Sequence, residues 1–307
     1  MVIGLIGPNS YALFESVSST IRDFTSKHGQ GSVIKMNADE IEVPDLISAC
    51  MEQSLFASKQ LVVLRDVSQN SILKTKLSEI IETLPNSTTL LIYDSSLKKT
   101  DKLAKQIEKT GELIYRPLPS PYELKTWAKS QAKENNAQIE SDAVDELIKR
   151  VGEDQWRIKE EIKKLSLYDQ NINRKNVAKL VEITPQENIF HMLDCILKGD
   201  YKTALKKYEL LREMKLEAQY VFSMLIWQAH NAALVAYADN KNTQEISEEA
   251  GVSSYIAQKI KQMLSKEPKN KIRQIINKLI EADILLKKTA NNPDQVVKNV
   301  ILRVCRI

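Results

Sequence analysis

Short apolar runs punctuate the first third of the 307-residue chain, at Val2–Ile6, 33–36, 61–64, 89–93 and 113–115. Stretches of helical period lie between them, at 10–27, 44–54, 74–83 and 101–109. Continuous apolar runs of this length suit strands buried on both faces, so the alternation predicts a parallel sheet covered by helices. Beyond that region the pattern is helical. Pro117, Pro119 and Pro121 mark a first joint, since proline continues neither a helix nor a central strand. Helical periods at 122–135, 141–151, 154–168 and 175–181 predict a small bundle of about 65 residues with no strand in it. Within it Trp156, Ile158, Ile162 and Leu165 are expected in the core, and Asp154 as a cap. Thr184 and Pro185 mark a second joint. The expected class is therefore α/β plus all-α, divided as 1–118, 119–184 and 185–307.

The last part opens with two helices joined by a Gly199-Asp200 turn, followed by a long helix over 219–238. Residues 243–260 then have the helix, glycine turn and second helix of a DNA-binding helix-turn-helix, with Ile246 and Ala250 packing on Ile256 and Ile260 across Gly251. Its second helix offers Ser253, Ser254, Tyr255, Gln258 and Lys259 but no Arg, the commonest base-reading donor. The tail, 266–288 and 294–306, is amphipathic, with Ile272, Ile275, Ile276, Leu279, Ile280 and Leu286 on its apolar side. That shape suits packing into a multi-subunit ring as well as an ordinary bundle.

Composition narrows the class. Only 8 glycines and 6% aromatic residues favour a helix-rich chain over a sandwich or barrel. No apolar run approaches a membrane span, and the N-terminus reads as a strand rather than a signal peptide, so a cytoplasmic protein is expected. Cys50, Cys195 and Cys305 are too few and scattered for a disulfide framework or zinc site. His191 and Cys195 share a helix face, which core packing explains. The net charge of +4 is uneven: from Gln258 to Ile307 there are 12 Lys and Arg against 4 Asp and Glu. Such a region can contact nucleic acid or an acidic partner.

Folds of this kind often bind nucleotide at the turn after the first strand. A phosphate-cradling loop needs glycines, a Lys for the phosphates and a Ser or Thr for Mg²⁺. The turn here runs from Gly7 through Pro8, Asn9, Ser10 and Tyr11 to Phe14, where Pro8 lacks a donor and no Lys follows. Asn9 or Ser10 reads as a helix cap. The run ending at Asp94 continues with Ser95 and Ser96, where a metal-binding strand end would carry a second acid. Neither ATP hydrolysis nor a cofactor is expected. No Ser-His-acid set, metal cluster or paired acids appear, so catalysis by this chain is not expected.

The most informative stretch is Gln53, Ser54, Leu55 and Phe56, between a predicted helix and the 61–64 run. Ile47, Cys50, Met51 and Ser54 are expected to set that helix's inward stripe. Leu55 lies about 100° from its middle and Phe56 nearly opposite, so both cannot share one face. Either the chain turns and both cap the core, or they form a wedge for a partner's apolar pocket.

This stretch, with Ala57 to Leu64 after it, closely resembles the clamp-binding element of the bacterial DNA polymerase III delta subunit family. The resemblance extends to the Gly152-to-Leu165 helix, to the helix pair around Phe190, Asp194, Gly199, Asp200 and Ala204, and to the glycine-turn helix pair. It implies an AAA+-like first domain that has lost its P-loop, a small helical lid and a C-terminal helical collar. It also implies that Gln53, Ser54, Leu55 and Phe56, with Met51 beside them, bind the sliding clamp (beta subunit). The implied partners are that clamp, the loader subunits delta-prime and tau/gamma, and primer-template DNA within the complex, with no membrane. The competing expectation is a helix-turn-helix DNA-binding regulator with a degenerate nucleotide-binding domain.

Overall fold

The computed structural model describes residues 1–51, 59–238, 242–264, 269–288 and 292–307. The chain divides into two compact units, Met1–Pro119 and Ser120–Ile307.

The first unit is a five-stranded sheet with every pairing parallel. Its strands are β1 (Val2–Ile6), β2 (Val33–Asn37), β3 (Gln60–Arg65), β4 (Thr88–Asp94) and β5 (Glu112–Tyr115). They lie in the order β2-β3-β4-β1-β5. The central strands are buried on both faces, as their unbroken apolar runs require. Helix α1 (Ser10–His28) lays Leu13 and Val17 on one face, against Leu5, Leu61, Val63 and Leu91. Helices α2 (Val43–Met51), α3 (Ser71–Glu82) and α4 (Lys102–Thr110) cover the other.

The α2 stripe differs from expectation. Leu46 and Cys50 are its buried residues, while Ile47 is 40% and Met51 37% exposed. The helix is turned so that successive residues, about 100° apart, put Cys50 inward and Met51 at the solvent edge.

The second unit holds two separate buried cores. The first gathers α5 (Pro121–Glu134), α6 (Ser141–Val151), α7 (Gln155–Tyr168) and α8 (Arg174–Leu180). Ser120 opens this bundle with a reciprocal capping box to Glu123. Two details correct the sequence reading. A two-stranded parallel ladder, β6 (Gln138–Ile139) with β7 (Asn171–Ile172), ties the bundle where no strand was expected. Pairs of two residues are too short to leave an alternating pattern. Trp156, expected in the core, is 41% exposed. The inward ridge of α7 is Ile158, Ile162 and Leu165, and Trp156 lies roughly 150° from it on the helical wheel.

The second core comprises α9 (Pro185–Leu197), α10 (Tyr201–Glu213), α11 (Ala218–Tyr237), α12 (Thr243–Ala250), α13 (Ser254–Leu264), α14 (Lys269–Lys288) and α15 (Pro293–Val304). Thr184 caps α9 by accepting from the Glu187 N–H. Ile272, Ile275, Leu279 and Leu286 of α14 are buried as expected, whereas Ile280 faces solvent.

Candidate functional site

Of the residues singled out for partner binding, Met51 is described and Gln53, Ser54, Leu55 and Phe56 lie outside the described residues. The structure does describe what holds α2 over Ala49 and Cys50. The Gln60 amide, buried in β3, donates to the Ala49 carbonyl at 2.7 Å. The Thr88 hydroxyl of β4 donates to the Cys50 carbonyl at 2.9 Å. Two adjacent strands thus supply donors to these carbonyls of α2. Ile47 and Met51, one turn apart, form an exposed apolar pair on the same helix.

The turn after β1 is closed to phosphate. Gly7 has φ +117°, and a Cβ there would lie 2.6 Å from the Arg116 carbonyl oxygen, so only glycine fits. Asn9 is buried. Its N–H donates to Arg116 O at 3.1 Å and its amide to Pro117 O at 3.2 Å. Its side-chain oxygen caps α1 by accepting from the Ala12 N–H at 3.0 Å. The donors that would surround a phosphate are thus turned to the chain leaving β5. Asp94, at the end of β4, accepts from the Ser68 and Ser96 N–H groups, each at 2.7 Å. Both its oxygens fasten loops. Among the described residues no group of three or more His, Cys, Asp or Glu is placed to hold a metal.

In the helix-turn-helix, Ile246 and Ile260 are buried and Ile256 partly so, with Val252 buried beside the turn; the side chain of Ala250, the other expected contact, lies outside the described residues. Of the five residues of the second helix that would read DNA, Ser253, Tyr255 and Lys259 are engaged inside the unit, while Gln258 is exposed. Lys259 pairs with Glu187 of α9 and lies 4.1 Å above the Phe190 ring. Ser253 is buried and accepts from the Ile256 N–H at 3.1 Å, and Tyr255 packs against the α5–α8 core. Burial pushes the carboxyls of Glu187 and Glu153 up, and Lys259 pulls Glu187 part of the way back. His191 on the same helix is held neutral. Burial first, then the charges of Lys259, Lys207 and Lys149, bring it down to about 4.

A different exposed surface runs along α11. Tyr220, Trp227 and Leu234 recur at seven-residue spacing, which keeps them on one face, and Tyr237 extends the line. All are exposed, Trp227 at 45%. Helix α14 packs beside α11 and adds Ile280, Ile284 and Leu285 to the exposed apolar area. Exposed apolar side chains gathered on neighbouring helices are a feature that interaction surfaces share.

Sequence reasoning missed Gln60 and Thr88, which read only as polar strand starts. It also missed the Lys259–Glu187 pair, whose members are 72 residues apart. Nothing in a single sequence joins such positions.

Comparison with known proteins follows the same lines. The family model described as DNA polymerase III, delta subunit matches residues 5–115. The model described as DNA polymerase III delta subunit, C-terminal domain matches residues 186–304. A protein of Aquifex aeolicus (strain VF5), described as probable DNA polymerase III subunit delta, is 23% identical over 290 residues, covering 87% of this chain and 83% of that one. The solved structure of the Bacillus subtilis DNA clamp loader delta protein matches with a TM-score of 0.74 at 17% identity, over 100% of this chain and 95% of its own. At that identity the structural likeness speaks for the fold alone.

Proposed function

The chain belongs to the DNA polymerase III delta subunit family, a clamp loader component of the polymerase holoenzyme, and from that premise we propose that it binds the sliding clamp and holds the ring open. The contact is made by Gln53, Ser54, Leu55 and Phe56, with Met51 beside them. What supports this reading is the C-terminal part of α2 as described: Ile47 and Met51 face solvent there, and Gln60 and Thr88 hold the Ala49 and Cys50 carbonyls. A wedge of this kind opens a ring only by binding its open form more tightly than its closed form.

The parts act as 1–118, a degenerate AAA+-like domain; 119–184, a lid; and 185–307, a collar. The exposed face of α11 takes the neighbouring loader subunits, delta-prime and tau/gamma, which supply the ATP sites that this chain lacks. The chain itself is not an enzyme. Its basic C-terminal stretch meets primer-template DNA within the assembled complex, in the cytoplasm. Among the described residues no helix is long and apolar enough to cross a membrane. The helix-turn-helix reading fares worse, because Ser253, Tyr255 and Lys259 are already engaged within the protein.

The test is the Leu55→Ala/Phe56→Ala variant, measured for thermal unfolding and for binding to purified clamp. Two truncated hot spots at about 2 kcal/mol each weaken binding nearly a thousandfold. The melting temperature should shift modestly. Buried core residues would instead cost about 2–5 kcal/mol of stability apiece. A variant that unfolds at low temperature, or one that binds clamp normally, overturns the assignment.

A further inference from the structure

Helix α13 belongs to one core and reaches into the other. Its Ala257 and Ile260 are buried in the α9–α15 core. Its Tyr255 packs on the α5–α8 core, and the buried Ser253 caps the helix by accepting from the Ile256 N–H at 3.1 Å. Residues of both parts, including Gly152, Glu153, Thr184, Glu187 and Tyr255, line one cavity of about 240 Å³.

Two further contacts seat this helix. Lys259 is held between the Glu187 carboxylate and the Phe190 ring, with side chains only 20% and 10% exposed for Lys259 and Glu187. Gly152, at φ +79°, brings the turn so close to Glu187 that a Cβ would stand 3.2 Å from its Oε1. The covalent joint is tied separately: the Arg150 guanidinium donates to Val181 O at 2.9 Å, and the Thr184 N–H donates to Arg150 O at 2.9 Å.

We propose that the α12–α13 pair is a clasp, in which Tyr255 locks the α5–α8 core to the α9–α15 core and the Lys259–Glu187 pair holds α13 in its seat. While α13 is seated the two cores move as one body; when it lifts, they are left with the joint at 181–184 and the α6–α9 contact. A helix-turn-helix shape is thereby accounted for by an internal duty, independently of whether the chain opens a clamp. Buried pairs suit such a seat because their geometry is specific: removing one partner strands the other's charge, whereas removing both need not destabilise.

Amide hydrogen exchange on the full-length chain tests this, with Tyr255→Ser, Lys259→Met, Glu187→Gln and the Lys259→Met/Glu187→Gln double variant. For Tyr255→Ser and Lys259→Met the expected result is exchange at least tenfold faster over 151–154 and 181–187. Protection inside each core, at Leu147 and Ile162 and at Leu193 and Leu225, should stay within about threefold of the parent. The double variant should recover most of the protection that Lys259→Met loses. Unchanged exchange at the two joint segments overturns the clasp. So does a uniform loss across both cores, which would make Tyr255 and Lys259 ordinary core residues. A double variant no better than Lys259→Met removes the ion pair from the device.

Discussion

The Thr88 hydroxyl, buried in β4, donates a 2.9 Å hydrogen bond to the carbonyl of Cys50 in α2. Thr88→Val removes that donor and leaves a buried carbonyl without it, which should cost about 1–3 kcal/mol. Because Gln53 to Phe56 follow Cys50 closely in the chain, affinity for the clamp should fall as well. Thr88→Ser, which keeps the hydroxyl, should retain most of both. Thermal unfolding beside clamp-binding titrations reads the two effects together, and unaltered clamp affinity in Thr88→Val would detach the anchor from function.

The isolated chain should show no measurable ATP hydrolysis and no tight nucleotide binding. The turn after β1 presents Pro8 and a buried Asn9 bonded to Arg116 and Pro117 in place of a phosphate cradle. Calorimetric titration with Mg-ATP checks this, and a micromolar dissociation constant would contradict it.

Stability should depend on pH through His191, whose folded-state value of about 4 lies below the ordinary 6.5. The unfolded chain therefore takes up its proton first as pH falls. The contribution is fully present above pH 6.5 and is lost progressively between 6.5 and 4, by no more than about 3 kcal/mol. Glu153 has the opposite sign: burial raises it, so ionisation there is a cost that grows as pH rises. His191→Gln should flatten the acid decline, and Glu153→Gln should raise the melting temperature near pH 8 more than near pH 4. Melting curves of both variants across pH 4–8 supply the check.

On α11, replacing Tyr220, Trp227 and Leu234 together with serine should leave the isolated chain nearly as stable as before, since exposed substitutions usually fall within about 0.5 kcal/mol. Assembly with delta-prime and tau/gamma should fail in size-exclusion chromatography, while binding to the clamp alone persists. Normal assembly would place the neighbours elsewhere.

The α/β architecture was legible because buried parallel strands leave unbroken apolar runs, and the closed turn because Pro8 and the missing Lys are local facts. What escaped had other physical causes. The β6–β7 ladder is too short to pattern. The rotation of α2 depends on which of several apolar neighbours, Leu46 or Ile47, faces the sheet, and both fit a helical period. Trp156 misled because its size suggests burial while its angle places it outside. The helix-turn-helix was visible as a shape, but its occupation by Glu187 depends on a residue distant in sequence. The four residues on which the sequence reading turned, Gln53 to Phe56, lie outside the described residues and still await the binding experiment.

The position of β1 between β4 and β5 also sets a schedule for synthesis. The first strand made has no hydrogen-bonding neighbour until Thr88–Asp94 has been translated, and its second arrives only with Glu112–Tyr115. At about 5–20 residues per second, Val2–Ile6 waits roughly 4 to 20 seconds as an unpaired apolar strand. A nascent chain stopped short of Thr88 therefore carries an N-terminal segment that only a chaperone or the ribosome surface can shelter.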